Sequence, residues 1–491
     1  MAGYWYERLT ALDSSFLMLE KPHAPLHVAS TILFEDGPLR RPDGGIDADL
    51  IRRHVAAEIH RIPRYRQKLQ WVPMSMRPVW VDDDRFRLDY HVRHTALPKP
   101  GTEEQLRLLS ARIMEQPLDL SRPLWETWIV EGLEGNRFAL ISKVHHCMID
   151  GVSGAELLKI LLSLTPEVPE PKPARFFPRR APSAFQLWRD EGVRRLTLPV
   201  ELVRDVGSFF REAEDRRREV LSHFRAAADF LGSSMHRAST TPLNAQVSPH
   251  RRFDWLTMDF QELREVRRGL GGSANDLVLA IVTGAVQRFL EHRQVSPNAV
   301  DFRVMAPVSV RRREDQAALG NQVSAWLIDL PIAEEDPREQ IRQIKRKTNE
   351  LKRSKQAVGA TVLSDAAEWG SSTLLALGAR NISRVLPCNI IVTNVPGPQF
   401  PLYMTGAKML EAFPLVPLVD NLGLGVALMS YDGRLCWGFN ADYELVPDLE
   451  IFKEFILESF AALKEAAGAS AAEEAAASGG DVPLQVVPPT N

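Results

Sequence analysis

Apolar positions along the chain follow two rhythms, and the junctions between them are where chemistry is expected. Residues 137–144, RFALISKV, are a short apolar and β-branched run without a breaker, which predicts a strand. DGVSGAELLKILLSL follows, and its apolar residues Val152, Leu157, Leu158, Ile160, Leu161 and Leu164 predict a helix packed on one broad face. Between them lies HHCMIDG, residues 145–151. Gly151 permits a sharp turn, and Asp150 and Ser153 can accept backbone hydrogen bonds at the helix start. The same step from loop to apolar helix recurs in SANDLVLAIVTGAVQRFLEH, residues 273–292, without a histidine pair. The repetition suggests two related halves, of which one keeps the histidines, with a reaction centre between them.

Breaks in the pattern divide the chain. Prolines crowd residues 166–183 and mark a linker. A polar, Arg-rich helical stretch is expected over residues 184–231, and from Lys172 to Arg252 sixteen Lys/Arg stand against nine Asp/Glu. Phe176, Phe177, Phe185, Trp188, Phe209, Phe210 and Phe224 interleave with those arginines. Basic, aromatic helices of this kind can lie on anionic membrane surfaces, although a solvated crossover helix has the same composition. The expected organisation is an N-terminal domain over residues 1–170, a linker with crossover helices over 171–252, a C-terminal domain over 253–466, and a disordered low-complexity tail over 467–491.

Length and composition narrow the class. A chain of 491 residues exceeds the usual single core. The net charge of -3 carries no nucleic-acid signature. Three cysteines, Cys147, Cys388 and Cys436, suit a reducing compartment. The N-terminus shows no apolar signal core, and the longest apolar run, LVLAIVTGAV, is about half the length that spans a bilayer. A cytoplasmic protein, peripheral at the inner membrane face or at lipid droplets, is expected. No pattern in the sequence encodes an oligomeric state.

Three readings compete for HHCMIDG. One histidine can be a general base, since imidazole titrates nearest neutral pH. His145, His146, Cys147 and Asp150 can instead bind a metal, or the residues can be structural. Successive strand side chains point to opposite faces, so His145 and His146 should diverge. Divergence disfavours one metal held by both, and no second cluster has zinc-like spacing; His91 and His94 are the nearest candidates.

HHCMIDG fits the HHxxxDG signature of acyltransferases that use acyl-CoA or acyl-carrier thioesters. The chain further resembles the bacterial wax ester synthase/diacylglycerol acyltransferase (WS/DGAT) family in LTALDSSFLMLEKPHAPLHVAS, RPLWETWIVEGL, SANDLVLAIVTGAV, TNVPGP and GLGVALMSYDGRLCWGFNAD with its following PD, in order from Leu9 to Leu463. The resemblance implies an α/β (α+β) fold of two chloramphenicol-acetyltransferase-like domains with mixed sheets and an active-site tunnel at their interface. It implies an O-acyltransferase moving a long-chain acyl group from acyl-CoA to diacylglycerol or a fatty alcohol, with acyl-CoA as substrate and no cofactor or metal. His146 is then the general base, His145 its support, Asp150 a holder of local structure and Gly151 the turn-maker. The acyl group already arrives activated, so no covalent acyl-enzyme is needed, and a nucleophilic Cys147 is disfavoured. Oxyanion or substrate-binding candidates are Asn275, Asp276, Asn394 and Trp125, although an Asn before a helix is often a cap and Trp125 and Trp128 can be core residues. Two alternatives stay open: an acyltransferase acting on carrier-protein or natural-product substrates, and a non-catalytic lipid-droplet or membrane-binding relative.

Overall fold

The strand predicted over residues 137–144 runs one residue further, to His145, and lies inside a six-stranded sheet. The computed structural model describes residues 4–73, 75, 77–148, 157–168, 171–172, 174–194, 238–309, 323–354 and 388–478. In chain order the strands are β1 (Glu7–Arg8), β2 (His27–Glu35), β3 (Gln67–Trp71), β4 (Pro78–Asp82), β5 (Val92–Ala96), β6 (Trp125–Leu133), β7 (Arg137–His145), β8 (Arg251–Asp259), β9 (Arg303–Ser309), β10 (Val323–Asp329), β11 (Ile390–Pro396), β12 (Tyr403–Met404), β13 (Ala407–Leu415), β14 (Leu424–Tyr431) and β15 (Arg434–Asp442). One large sheet has the order β12-β13-β2-β7-β6-β5, the other β10-β9-β11-β14-β15-β8, and β1-β4-β3 form a small third sheet. Both large sheets are mixed: β5 runs parallel to β6, and β11 runs parallel to β9 and β14, while the other pairs are antiparallel.

β7 is buried on both faces, which is why it reads as an almost unbroken apolar run. Phe138, Leu140 and Val144 enter one core, with Ile51, Val55 and Leu124. Ala139 and Ile141 enter the opposite core, with Leu106, Ile113 and Met114 of the helix Glu103–Glu115. Alternation then puts Lys143 and His145 on the side of that helix. In the second half, the helices Phe260–Leu270, Ala274–His292, Pro337–Ser354 and Leu449–Ser478 share a core with the second sheet. The helix Ala274–His292 is apolar almost all round because it lies inside that core. Among the described residues, no single helix is long and apolar enough to cross a membrane.

Three expectations are corrected. The division at residue 253 is not clean, because β12 and β13 come from the second half yet extend the first sheet, β13 pairing with β2. Phe253, Trp255, Phe413, Leu415 and Cys436 therefore share one core with Ala139 and Ile141, and the Trp255 and Phe413 rings stack at 4.9 Å. The low-complexity tail does not begin at residue 467, since the helix runs on to Ser478 through an alanine-rich sequence of high helix propensity. Leu164 is exposed rather than packed, because the helical turn at residues 157–161 ends before it. Of the expected connector helix, residues 184–194 are helical, and residues 195–231 lie outside the described residues.

The seam between the halves imposes one strict steric demand. A Cβ at Gly438 on β15 would lie 1.9 Å from the Pro414 carbonyl oxygen on β13. Gly438→Ala should lower stability by about 2–4 kcal/mol, as overpacking against backbone cannot relax by a rotamer change. Gly37→Ala, with open space around its Cβ position, should be near neutral. Equal denaturation midpoints for both variants would mean that β13 and β15 do not approach this closely.

Candidate active site

The β2–β7 ladder delivers the two histidines to different environments. His145 is the last residue of β7 and pairs with His27 across the ladder. Its backbone N–H donates to the Leu124 carbonyl at 3.0 Å, so β6 also grips it. One residue on, the His146 N–H donates to the Leu26 carbonyl at 2.9 Å, and the Met148 N–H closes a turn on the His145 carbonyl at 2.9 Å. His145 is fully buried and His146 half-buried. The expected divergence of the pair is therefore achieved by a strand end rather than by strand alternation alone.

The His145 ring is committed to holding the turn. Its Nδ1 accepts the Cys147 N–H at 3.1 Å, which assigns the ring proton to Nε2. That atom lies 3.4 Å from Glu20 Oε2, an electrostatic contact without the alignment of a hydrogen bond. The other carboxylate oxygen, Glu20 Oε1, accepts the Leu26 N–H at 3.2 Å and lies 3.6 Å from His27 Nε2. Burial holds the His27 imidazole well below its usual range, with Lys143 and His145 lowering it further. The His146 ring stacks on Phe16, with centroids 4.0 Å apart and planes 18° apart. Glu20, His27 and Phe16 were not singled out from the sequence, although all three fall in the LTALDSSFLMLEKPHAPLHVAS segment. Their signal is tertiary: the β2–β7 register and the packing of the helix Ala11–Leu19 bring them in.

The other candidates are placed as follows. Asp150 and Gly151 lie outside the described residues. Burial pushes the Cys147 thiol well up, with Asp13 and Glu20 adding to the effect, so the thiolate a nucleophile needs is disfavoured. Trp125 is corrected from a substrate contact to a core residue: it is buried, its indole N–H donates to the Tyr65 carbonyl at 2.8 Å, and its ring stacks on His91 at 4.7 Å. Asp276 is corrected to a helix cap. Its Oδ2 accepts from the Ser273 N–H and hydroxyl at 2.7 and 2.8 Å, and its Oδ1 from Thr348 at 2.8 Å. Asn275, half-buried, is the second residue of the helix Ala274–His292, whose core belongs to the second half. Asn394 sits half-buried on β11, next to Val395. Val395, Met429 and Tyr431 of the second half pack in the same core as Cys147 and Met148. Among the described residues no three His, Cys, Asp or Glu side chains converge as a metal site requires.

Two mixed sheets joined by an exchanged strand, with a histidine pair at the end of β7, define the two-domain chloramphenicol-acetyltransferase-like fold. The first condensation domain of the CDA synthetase shares that fold, at TM-score 0.59 and 15% identity over 94% of this chain and 96% of that one. Residues 9–278 match the wax ester synthase/diacylglycerol acyltransferase catalytic domain, and residues 319–464 the WS/DGAT C-terminal domain. A putative diacylglycerol O-acyltransferase of Mycobacterium tuberculosis is 34% identical over 90% of this chain and 87% of its own length. The O-acyltransferase WSD of Acinetobacter baylyi is 29% identical over 90% of this chain and 93% of its own. The solved wax ester synthase/diacylglycerol acyltransferase of Marinobacter aquaeolei VT8 superposes with TM-score 0.64 at 25% identity, over 94% of this chain and 100% of that chain. The chain belongs to the wax ester synthase/diacylglycerol acyltransferase family and is an acyltransferase.

Lys143, two residues before His145, is nearly inaccessible at 1% exposure. Its ammonium donates to the Ile113 and Gln116 carbonyls at 2.8 and 2.9 Å, closing the C-terminal end of the helix Glu103–Glu115. Burial pushes it down to about 8, against the pull of Glu126. Between pH 8 and 10.5 the unfolded chain then holds a proton at this lysine that the native state has released, so stability rises with pH over that window. Subtracting the unfolding free energy of Lys143→Met from that of the wild type should reveal a rise of about 3 kcal/mol across it. A flat difference would show that Lys143 ionises as freely inside the fold as outside.

Proposed function

We propose that this enzyme transfers a long-chain acyl group from acyl-CoA to the hydroxyl of diacylglycerol or a fatty alcohol, with His146 as general base. The observation that carries the reading is the placement of His146. It is held by backbone at the end of β7, half-buried, and is followed by Cys147 and Met148 in a core that Met429 and Tyr431 of the second half also enter, whereas the His145 ring is committed to its own turn. As the alcohol oxygen attacks the thioester carbonyl carbon, His146 takes the hydroxyl proton. The carbon–sulfur bond then breaks and the proton passes to the departing CoA thiolate. The buried, protonated thiol of Cys147 supports direct transfer without an acyl-enzyme. Relatives named as diacylglycerol O-acyltransferase and as wax ester synthase support both acceptor classes.

His146→Ala should lower turnover with palmitoyl-CoA by about 10²- to 10⁴-fold while the protein stays folded. Release of free thiol, from CoA or from the carrier, is the readout, with hexadecanol and diacylglycerol as acceptors and a carrier-bound acyl donor compared with palmitoyl-CoA in parallel. Near wild-type turnover in the variant removes His146 as the base. Thiol release with the carrier-bound donor alone favours a carrier-protein acyltransferase, and no thiol release with any pair favours a silent relative.

Water-insoluble acceptors call for a lipid surface, and one helix supports attachment at the inner membrane face or at lipid droplets. The helix at residues 184–194 buries Leu187 against Val72, Val79 and Val81. Its acids also turn inward: Asp190 accepts from Tyr4 at 2.6 Å and Glu191 from Arg8 at 2.9 Å. Its aromatics turn outward, with Phe185 68% and Trp188 51% exposed and their rings 6.0 Å apart. Residues 172–194 carry six Lys/Arg and two Asp/Glu, so the exposed face suits an anionic bilayer. Arg216, Arg217 and Arg218, also expected to contribute charge, lie outside the described residues. Replacing Phe185 and Trp188 together by Ser should weaken partitioning onto phosphatidylserine-containing vesicles at least about tenfold in flotation. Unchanged flotation would leave this helix without a part in membrane attachment.

A further inference from the structure

We propose that the end of the helix Ala11–Leu19 is a clamp on the base, with Phe16 and Glu20 as positioning residues that hold His146 for proton transfer. This inference rests on His146 being the general base. Phe16 and Glu20 are four residues apart and share one face of the last turn, where the Glu20 N–H donates to the Phe16 carbonyl at 3.1 Å. Each takes one of the two histidines.

Phe16 lies flat on the His146 ring, at 4.0 Å between centroids. The face of a benzene ring carries negative potential and attracts a cation. A neutral imidazole gains ordinary stacking there, and the imidazolium formed as the alcohol proton arrives gains more. The contact therefore strengthens along the reaction coordinate, which is the condition for lowering a barrier rather than merely binding. The stack also restricts the ring's rotation, so the proton-accepting nitrogen keeps one direction.

Glu20 acts on the backbone to either side of the same ring. Through Oε1 it holds the Leu26 N–H, and the Leu26 carbonyl receives the His146 N–H. Through Oε2 it faces Nε2 of His145, whose Nδ1 receives the Cys147 N–H. One carboxylate thus braces the peptide before His146 and the peptide after it.

The test is a set of single and double variants read as kcat and KM for palmitoyl-CoA and hexadecanol. Phe16→Leu should lower kcat by about tenfold, with KM for acyl-CoA within about twofold of wild type. Phe16→Tyr, which keeps the ring face, should restore most of kcat. Glu20→Ala should lower kcat likewise, and Glu20→Gln, whose amide oxygen can still accept the Leu26 N–H, should recover part of it. In a His146→Ala background neither Phe16→Leu nor Glu20→Ala should cost anything further, because both act through that ring. Melting temperatures accompany each variant, and Phe16→Met replaces Phe16→Leu if leucine fails to fold. A normal kcat in Phe16→Leu, a rise in KM alone, or an equal further loss in the His146→Ala background overturns the clamp and makes Phe16 a pocket wall. A fully active His146→Ala defeats the base assignment itself, and an inactive one beside a normal Phe16→Leu defeats only the clamp.

Discussion

The antiparallel ladder between β2 and β7 is the constraint on which the site depends. It runs unbroken from Glu35 opposite Arg137 to His27 opposite His145, and one further bond, His146 N–H to the Leu26 carbonyl, continues it past the strand end. A slip of one residue would exchange the two faces of β7 and send Lys143 and His145 into the core that now holds Phe138 and Val144. That core offers a lysine no ring of carbonyls, so register and chemistry are specified together. The ladder also decides which histidine is available, since it ends with His145 inside the sheet and His146 just beyond it.

Lys143, buried on the ladder, and its neighbour Glu126 find partners in a chain. Lys143 meets the carbonyls at the end of the helix Glu103–Glu115, with Glu126 at 3.9 Å. Glu126 in turn accepts from Arg93 at 3.0 Å and from the Trp128 indole at 3.1 Å. On the other side of His145, Glu20 faces both His27 and His145. Each of these groups would be costly to leave alone in a low-dielectric interior, and the mutual contacts offset that cost while fixing orientations. The same contacts that make the interior tolerable for charge hold the turn that carries His146.

The sequence made some of this legible and hid the rest for physical reasons. β7 and the divergence of the two histidines were readable because both are written in contiguous residues. Phe16, Glu20 and His27 were not, since their meaning comes from a helix and a strand more than a hundred residues before the histidine pair. The exchange of β13 into the first sheet was equally hidden, because its residues read as an ordinary strand and only pairing reveals the partner. Asp276 and Trp125 stood in suggestive motifs, yet a carboxylate at the third helical position serves the cap and an indole N–H inside a core serves a carbonyl. The alanine-rich segment beyond residue 467 looked featureless by complexity, while its backbone preference is strongly helical.

The exchanged strand explains why a reaction between two halves can be precise. Two domains joined only by a linker would slide, and a base at their junction would lose its geometry with them. Here β13 is hydrogen-bonded into the first sheet while its Phe413 stacks on Trp255 of the second, so the halves share both a sheet and a core. Met429 and Tyr431 of the second sheet enter the core that contains Cys147 and Met148, and the Tyr431 hydroxyl accepts the Leu402 N–H at 2.8 Å where the chain enters the exchange. The core into which Cys147 and Met148 pack is therefore built from both halves. A core shared in this way holds the two halves at packing distances, which is the precision that a proton transfer at His146 would demand.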